Sequence, residues 1–162
     1  MREGPLTIGM VAGEASGDLL GAHLIAALRA QLPDARFVGI GGPKMQTQGL
    51  NSLFPMERLA VRGYAEVLRH YPGLLWMRHK LKLALLKVQP QLFIGVDAPD
   101  FNLGLEAGLK RAGVPVVFGP NMNQEGAGSL LKHGAALQVK DAEELTARLK
   151  KLLDSPERRR TM

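Results

Sequence analysis

The chain has no cysteine, one tryptophan, two tyrosines and five phenylalanines in 162 residues. Without cysteine, disulfide frameworks, Cys-ligated zinc, iron–sulfur clusters and thiol catalysis are excluded. The four histidines, His23, His70, His79 and His133, show none of the roughly three- to five-residue spacing of a histidine metal site, so no metal is expected. No apolar run approaches the roughly 18 residues of a membrane-spanning helix. The first apolar stretch, Leu6 to Ala12, is too brief for a signal-peptide core, so the expected compartment is cytoplasmic.

What is present is the composition of one compact domain, or of a piece of something larger: 46% hydrophobic and 22% charged residues, with 21 Lys and Arg against 15 Asp and Glu. A two-domain enzyme of ordinary proportions does not fit in that length. Short apolar runs alternate with helical patterns throughout, the signature of a parallel sheet covered by helices on both faces. Strands are expected at Thr7 to Ala12, Arg36 to Ile40, Leu92 to Val96, Val114 to Phe118 and Ala136 to Val139. Helices are expected at Asp18 to Leu32, with Leu20, Leu24, Ala27 and Leu28 on the apolar stripe, and at Phe101 to Ala112, Glu125 to His133 and Ala142 to Leu153. Asp141 and Glu144 have the capping-box spacing before the last helix. Tyr64 to Val88 reads as two helices with a bend, because Pro72 cannot continue a helix and Gly73 follows it. A short helix and a short strand near Leu53 fill residues 44 to 62. The sum is an α/β chain, a doubly wound parallel sheet of about five strands spanning residues 1 to 162 as one domain.

In such a sheet ligands bind beyond the carboxyl ends of the strands. Gly13-Glu14-Ala15-Ser16-Gly17-Asp18 follows the first strand, with glycines that allow a sharp turn into a helix N-terminus. It matches neither the dinucleotide fingerprint nor the Walker motif, so no nucleotide cofactor is implied. Two readings stay open: a tight turn with Ser16 or Asp18 as N-cap, and a ligand loop in which Glu14 favours a sugar hydroxyl over a phosphate. Asp97-Ala98-Pro99-Asp100-Phe101-Asn102 follows the Leu92 strand. Asp100 is expected to cap the next helix, whereas Asp97, directly after an apolar strand, is placed for partial burial and a pKa raised toward that of a general base. Asn102 is available to a hydroxyl or to the turn itself.

Residues 62 to 88 hold Arg62, Arg69, Arg78, Lys80, Lys82 and Lys87 against Glu66 alone, a net +5 out of the chain's +6. Val67, Leu68, Tyr71, Leu74, Leu75 and Trp76 lie among them. One reading is a surface that meets an anionic membrane; the other is a core-packed helix pair with a solvated basic face. No helix-turn-helix or aromatic strand platform is visible, so no nucleic-acid partner is expected.

VAGEASGDLLGAHLIAAL (11 to 28), RFVGIGGPKMQTQG (36 to 49), MERLAVRGYAEVLRHYPGLL (56 to 75) and LFIGVDAPDFNLGLE (92 to 106) resemble, in order and spacing, the N-terminal domain of lipid-A-disaccharide synthase over roughly residues 5 to 113. The resemblance implies one Rossmann-like half of a GT-B glycosyltransferase of lipid A biosynthesis. Such an enzyme joins a UDP-linked acylated glucosamine donor to an acylated glucosamine 1-phosphate acceptor, with UDP leaving and no cofactor, peripherally on the cytoplasmic face of the inner membrane. It implies Asp97 as the catalytic carboxylate, Glu14, Ser16, Gly17, Asp100 and Asn102 as acceptor-binding, and the Val67 to Trp76 residues named above as membrane contacts. From about residue 114 to 162 the chain instead resembles the closing part of the donor domain of Kdo transferase, another GT-B enzyme. Glu125 then stands at that family's donor-binding glutamate, although no Phe follows Asn123 as its signature requires. The whole reads as a truncated or hybrid glycosyltransferase, with a non-catalytic acceptor- or membrane-binding module as the alternative.

Overall fold

The computed structural model describes residues 4–60, 64–118, 137–138 and 142–155. The elements are β1 (Thr7–Val11), α1 (Ala15–Gln31), β2 (Arg36–Ile40), α2 (Pro43–Thr47), β3 (Leu50–Ser52), a 3-10 turn (Met56–Arg58), α3 (Tyr64–Val88), β4 (Leu92–Gly95), α4 (Pro99–Arg111), β5 (Val116–Phe118), β6 (Leu137–Gln138) and α5 (Ala142–Leu153). The strands form one sheet in the order β3-β2-β1-β4-β5-β6, every neighbouring pair parallel. The expected doubly wound sheet is there, and the short β3 brings it to six strands.

Both sheet faces are apolar because successive strand residues point to opposite sides. Ile8, Met10, Phe37, Leu92, Ile94 and Val117 form one core with Leu24, Ile25 and Leu28 of α1 and Met45 of α2. Val11, Val38, Ile40, Phe93 and Val116 form the other with Met77, Leu81 and Leu85 of α3 and Phe101, Leu105 and Leu109 of α4. Each of these large side chains contributes roughly 1.5–3 kcal/mol by leaving water.

Several expected boundaries move. α1 starts at Ala15 with Glu14 as an N-cap that makes no side-chain cap bond, so neither Ser16 nor Asp18 caps it. Its buried stripe runs through Gly17, Asp18, Gly21, Leu24, Ile25 and Leu28, and Leu20 is exposed. Gly17 and Gly21 leave room for the side chains of Asp97 and Met45, which a methyl group at either position would strike. α4 starts at Pro99 after Ala98, which holds a left-handed conformation at φ 51°. Asp100 therefore lies inside the first turn and does not cap it. α3 is one helix of 25 residues with Pro72 inside it, not two. Residues 71–73 are exposed, and Met77, Leu81 and Leu85 anchor the following turns at four-residue spacing. The expected helix at Glu125 to His133 and the Asp141 cap lie outside the described residues.

Candidate functional site at the switch point of the sheet

The chain leaves β1 toward β2 on one side and reaches β4 on the other, so the crevice of this sheet opens between the carboxyl ends of β1 and β4. The loop after β1 supplies Gly13 and Glu14, and the loop after β4 supplies Asp97. Gly13 N–H donates to Asp97 Oδ1 at 2.5 Å and Glu14 N–H donates to Oδ2 at 3.2 Å. The Asp97 carboxylate thus holds Glu14, the N-cap residue of α1, and Gly13 before it, at the end of the helix where the dipole favours an anion. The entry to α1 is pinned by Asp97 across 84 residues of sequence, while the expected cap of α4 by Asp100 does not form.

Asp97 is 4% exposed, and burial raises its pKa above the ordinary carboxylate value. The Gly13 and Glu14 amides oppose that rise and the Glu14 charge adds to it. Gly17, one turn into α1, makes room: a methyl group there would land on Asp97 Oδ2. Asn102 is fully buried on α4, and its Nδ2 donates to the Asp97 carbonyl at 2.5 Å and to the Val11 carbonyl at 3.4 Å. It ties the two switch-point loops together. Its Oδ1 has no partner among the described residues.

Of the predicted site residues, Glu14, Gly17, Asp97 and Asn102 are brought together. Ser16 and Asp100 are exposed, and the Asp100 carbonyl faces Arg78 of α3 at 3.5 Å. Glu125 lies outside the described residues, as do the side chains of Val67 and Leu68. Tyr71, Leu75 and Trp76 are exposed at 51%, 37% and 53%, and Leu74 is half-buried. The Trp76 ring meets Phe54 edge-on at 6.4 Å, with Lys80 Nζ 5.7 Å from its centroid. Beneath it opens a cavity of about 510 Å³ lined by Glu57, Arg58, His70, Leu74, Trp76 and Met77. Hollows of about 660 and 670 Å³ near Asp34 and Arg36 sit at the amino ends of β1 and β2, away from the crevice.

Two further acids are buried: Asp18, which the sequence offers only as a cap of its own helix, and Glu106, to which it assigns no role. Asp18 accepts from Lys44 N–H at 3.1 Å and from Met45 N–H at 2.9 Å, so it caps α2 and not its own helix. Glu106 is 2% exposed, both of its oxygens lack partners among the described residues, and burial pushes its pKa up to about 8. A signal for it exists: Phe101, Asn102, Leu105, Glu106 and Leu109 share the buried stripe of α4, so two polar residues stand on an apolar face.

Among the described residues no helix is long and apolar enough to cross a membrane, and no group of three His, Asp or Glu is placed to hold a metal ion. The fold has a structural neighbour in a candidate UDP-N-acetylglucosamine 2-epimerase from Listeria monocytogenes, with a TM-score of 0.54 and 15% identity over 99% of this chain and 40% of that one. That likeness shows the architecture alone. In sequence, lipid-A-disaccharide synthase of Chromobacterium violaceum is 61% identical over 116 residues, 72% of this chain and 30% of that protein. The enzyme of Methylobacillus flagellatus is 63% identical over 111 residues, 68% of this chain and 29% of that protein. The chain therefore spans about 30% of the length of these curated relatives. The family model described as lipid-A-disaccharide synthetase matches residues 8–118, which run from β1 to the end of β5 and include every residue of the switch-point cluster. On that match the chain belongs to the lipid-A-disaccharide synthetase family.

Proposed function

We propose that the chain is the acceptor-side part of a glycosyltransferase of lipid A biosynthesis, with Asp97 as its general base. The observation that carries the reading is a buried carboxylate of raised pKa at the switch point, each oxygen held by one backbone amide and keeping a second lone pair. In the proposed reaction an acceptor hydroxyl gives its proton to Asp97 as its oxygen bonds the anomeric carbon of the donor, and the bond to UDP breaks. The donor is UDP-linked acylated glucosamine and the acceptor is acylated glucosamine 1-phosphate. Glu14, Ser16, Gly17, Asp100 and Asn102 stand on the acceptor side. Because the base works only when ionised, activity rises with pH through the raised pKa of Asp97.

The exposed Tyr71, Leu75 and Trp76, beside the basic residues of α3, support a peripheral location on the cytoplasmic face of the inner membrane. For residues 114 to 162 we retain the reading as closing units of a Kdo-transferase-like donor domain, with Glu125 toward the donor; β6 adds a strand to the sheet and α5 lies against α1. Transfer from acylated UDP-glucosamine by the purified chain, falling ~10²–10⁴-fold in Asp97→Asn, is the expected result. No transfer by the native chain overturns the catalytic reading. The second reading, a non-catalytic acceptor- or membrane-binding module, is favoured by the exposed Tyr71, Leu75 and Trp76 on α3. Titration with UDP separates the two: saturable binding goes with a donor site in this chain, and none goes with the module.

A further inference from the structure

Glu106 has no place in the chemistry above, yet it is the least explained group in the core. It lies four residues after Asn102 on the sheet-facing side of α4, so the two side chains are neighbours one turn apart. Both converge on Gly95, the last residue of β4: a methyl group built on Gly95 would land on Glu106 Oε1 and come within 3.4 Å of Asn102 Nδ2. Asn102 Oδ1, Glu106 Oε1 and Glu106 Oε2 are the buried side-chain atoms without hydrogen-bond partners among the described residues. Three such atoms in one place are costly unless they serve each other, since each lost partner costs roughly 1–3 kcal/mol.

The amide of Asn102 is oriented by its donor side. Nδ2 donates to the Asp97 and Val11 carbonyls, which turns Oδ1 away from them and leaves it in need of a donor. A carboxylic acid can donate; a carboxylate cannot. We propose that Glu106 is a positioning residue for Asp97: its carboxyl proton, given to Asn102 Oδ1 directly or through one buried water, fixes the amide that holds the Asp97 backbone. The inference deepens the reading of Asp97 as the working carboxylate and rests on it. Burial, which holds Glu106 protonated up to about pH 8, agrees with the donor role. The charged groups on the neighbouring elements are Arg78 and Lys82 of α3, which lie over Gly104 and Gly108, Asp97 beyond β4, and Glu14 beyond β1. Ionisation of Glu106 would set acceptor against acceptor at Asn102 and release the amide.

The test is a pH series of amide NMR spectra on the labelled chain, comparing native protein with Glu106→Gln and Glu106→Met. In the native chain the Asn102 side-chain amide and the Gly13 and Glu14 backbone amides should show an inflection near pH 8. Glu106→Gln, which still donates, should lose that inflection and keep, across the series, the shifts the native chain shows at about pH 5. Glu106→Met should displace the Asn102 amide and speed exchange at Gly13 and Glu14 about tenfold. An unchanged Asn102 amide in Glu106→Met, or no inflection in the native chain, overturns the proposal. None of these readouts needs turnover, so they stand or fall apart from sugar transfer. Where transfer is measured, the native pH profile gains a descending limb near pH 8 that Glu106→Gln lacks.

Discussion

Replacing Glu106 by Gln should change how stability depends on pH more than how large it is. The folded chain keeps the Glu106 proton up to about pH 8, whereas in the unfolded chain the same carboxyl ionises at its ordinary 4.5. Below 4.5 both states are protonated and the native state has its full stability. Between the two values the unfolded state gives up its proton and the folded state does not, so folding loses about 1.4 kcal/mol for each pH unit. The loss reaches about 5 kcal/mol by pH 8, where it levels off. That is a large share of the roughly 5–15 kcal/mol by which domains are stable. Asp97, whose raised pKa acts in the same direction, is common to both proteins and cancels in their difference. Urea unfolding followed by circular dichroism should therefore show the variant gaining about 4 kcal/mol on the native chain between pH 5 and pH 8. With an m-value of about 2 kcal/mol/M, the two midpoints separate by roughly 2 M over that range. Midpoints that stay a constant distance apart from pH 5 to pH 8 would refute the reasoning, because they would mean that the Glu106 carboxyl is ionised in the folded state and reaches water or a cation.

Gly17→Ala sets two effects against each other. Helix propensity favours alanine by about 0.5–1 kcal/mol, but the methyl group would land on Asp97 Oδ2, so a net loss of roughly 1–3 kcal/mol in chemical denaturation is expected, with weakened protection of the Gly13 amide. Asp18→Ala removes the acceptor of Lys44 and Met45 N–H and should cost roughly 0.5–2 kcal/mol, seen also as faster exchange at those two amides; protection unchanged from native would contradict the capping role. Serine at Tyr71, Leu75 and Trp76 together should leave stability within about 1 kcal/mol, since all three are exposed, while co-sedimentation with anionic vesicles falls. Equal sedimentation of variant and native chain would remove the membrane contact from the proposal.

Local sequence was enough for the parts of this protein that depend on neighbours along the chain. Apolar runs bounded by Gly and Pro marked the strands, and the motifs after β1 and β4 placed the crevice, because in a parallel sheet the loops after the strands gather at one edge. The short β3 was legible only as a vague strand near Leu53, since three residues carry little pattern. Pro72 misled because the helix beyond it is held by the burial of Met77, Leu81 and Leu85 against the sheet, a tertiary contact that outweighs one lost backbone bond. The roles of the acids were decided by tertiary structure. Asp97 meets Gly13 across 84 residues and Asp18 meets Met45 across 27, so which backbone amides each carboxylate holds is settled by sheet order and not by spacing. Glu106 is the clearest case: its position on α4 is written in the sequence, but its charge state is set by the apolar layers that close over it, and only the packed sheet supplies them.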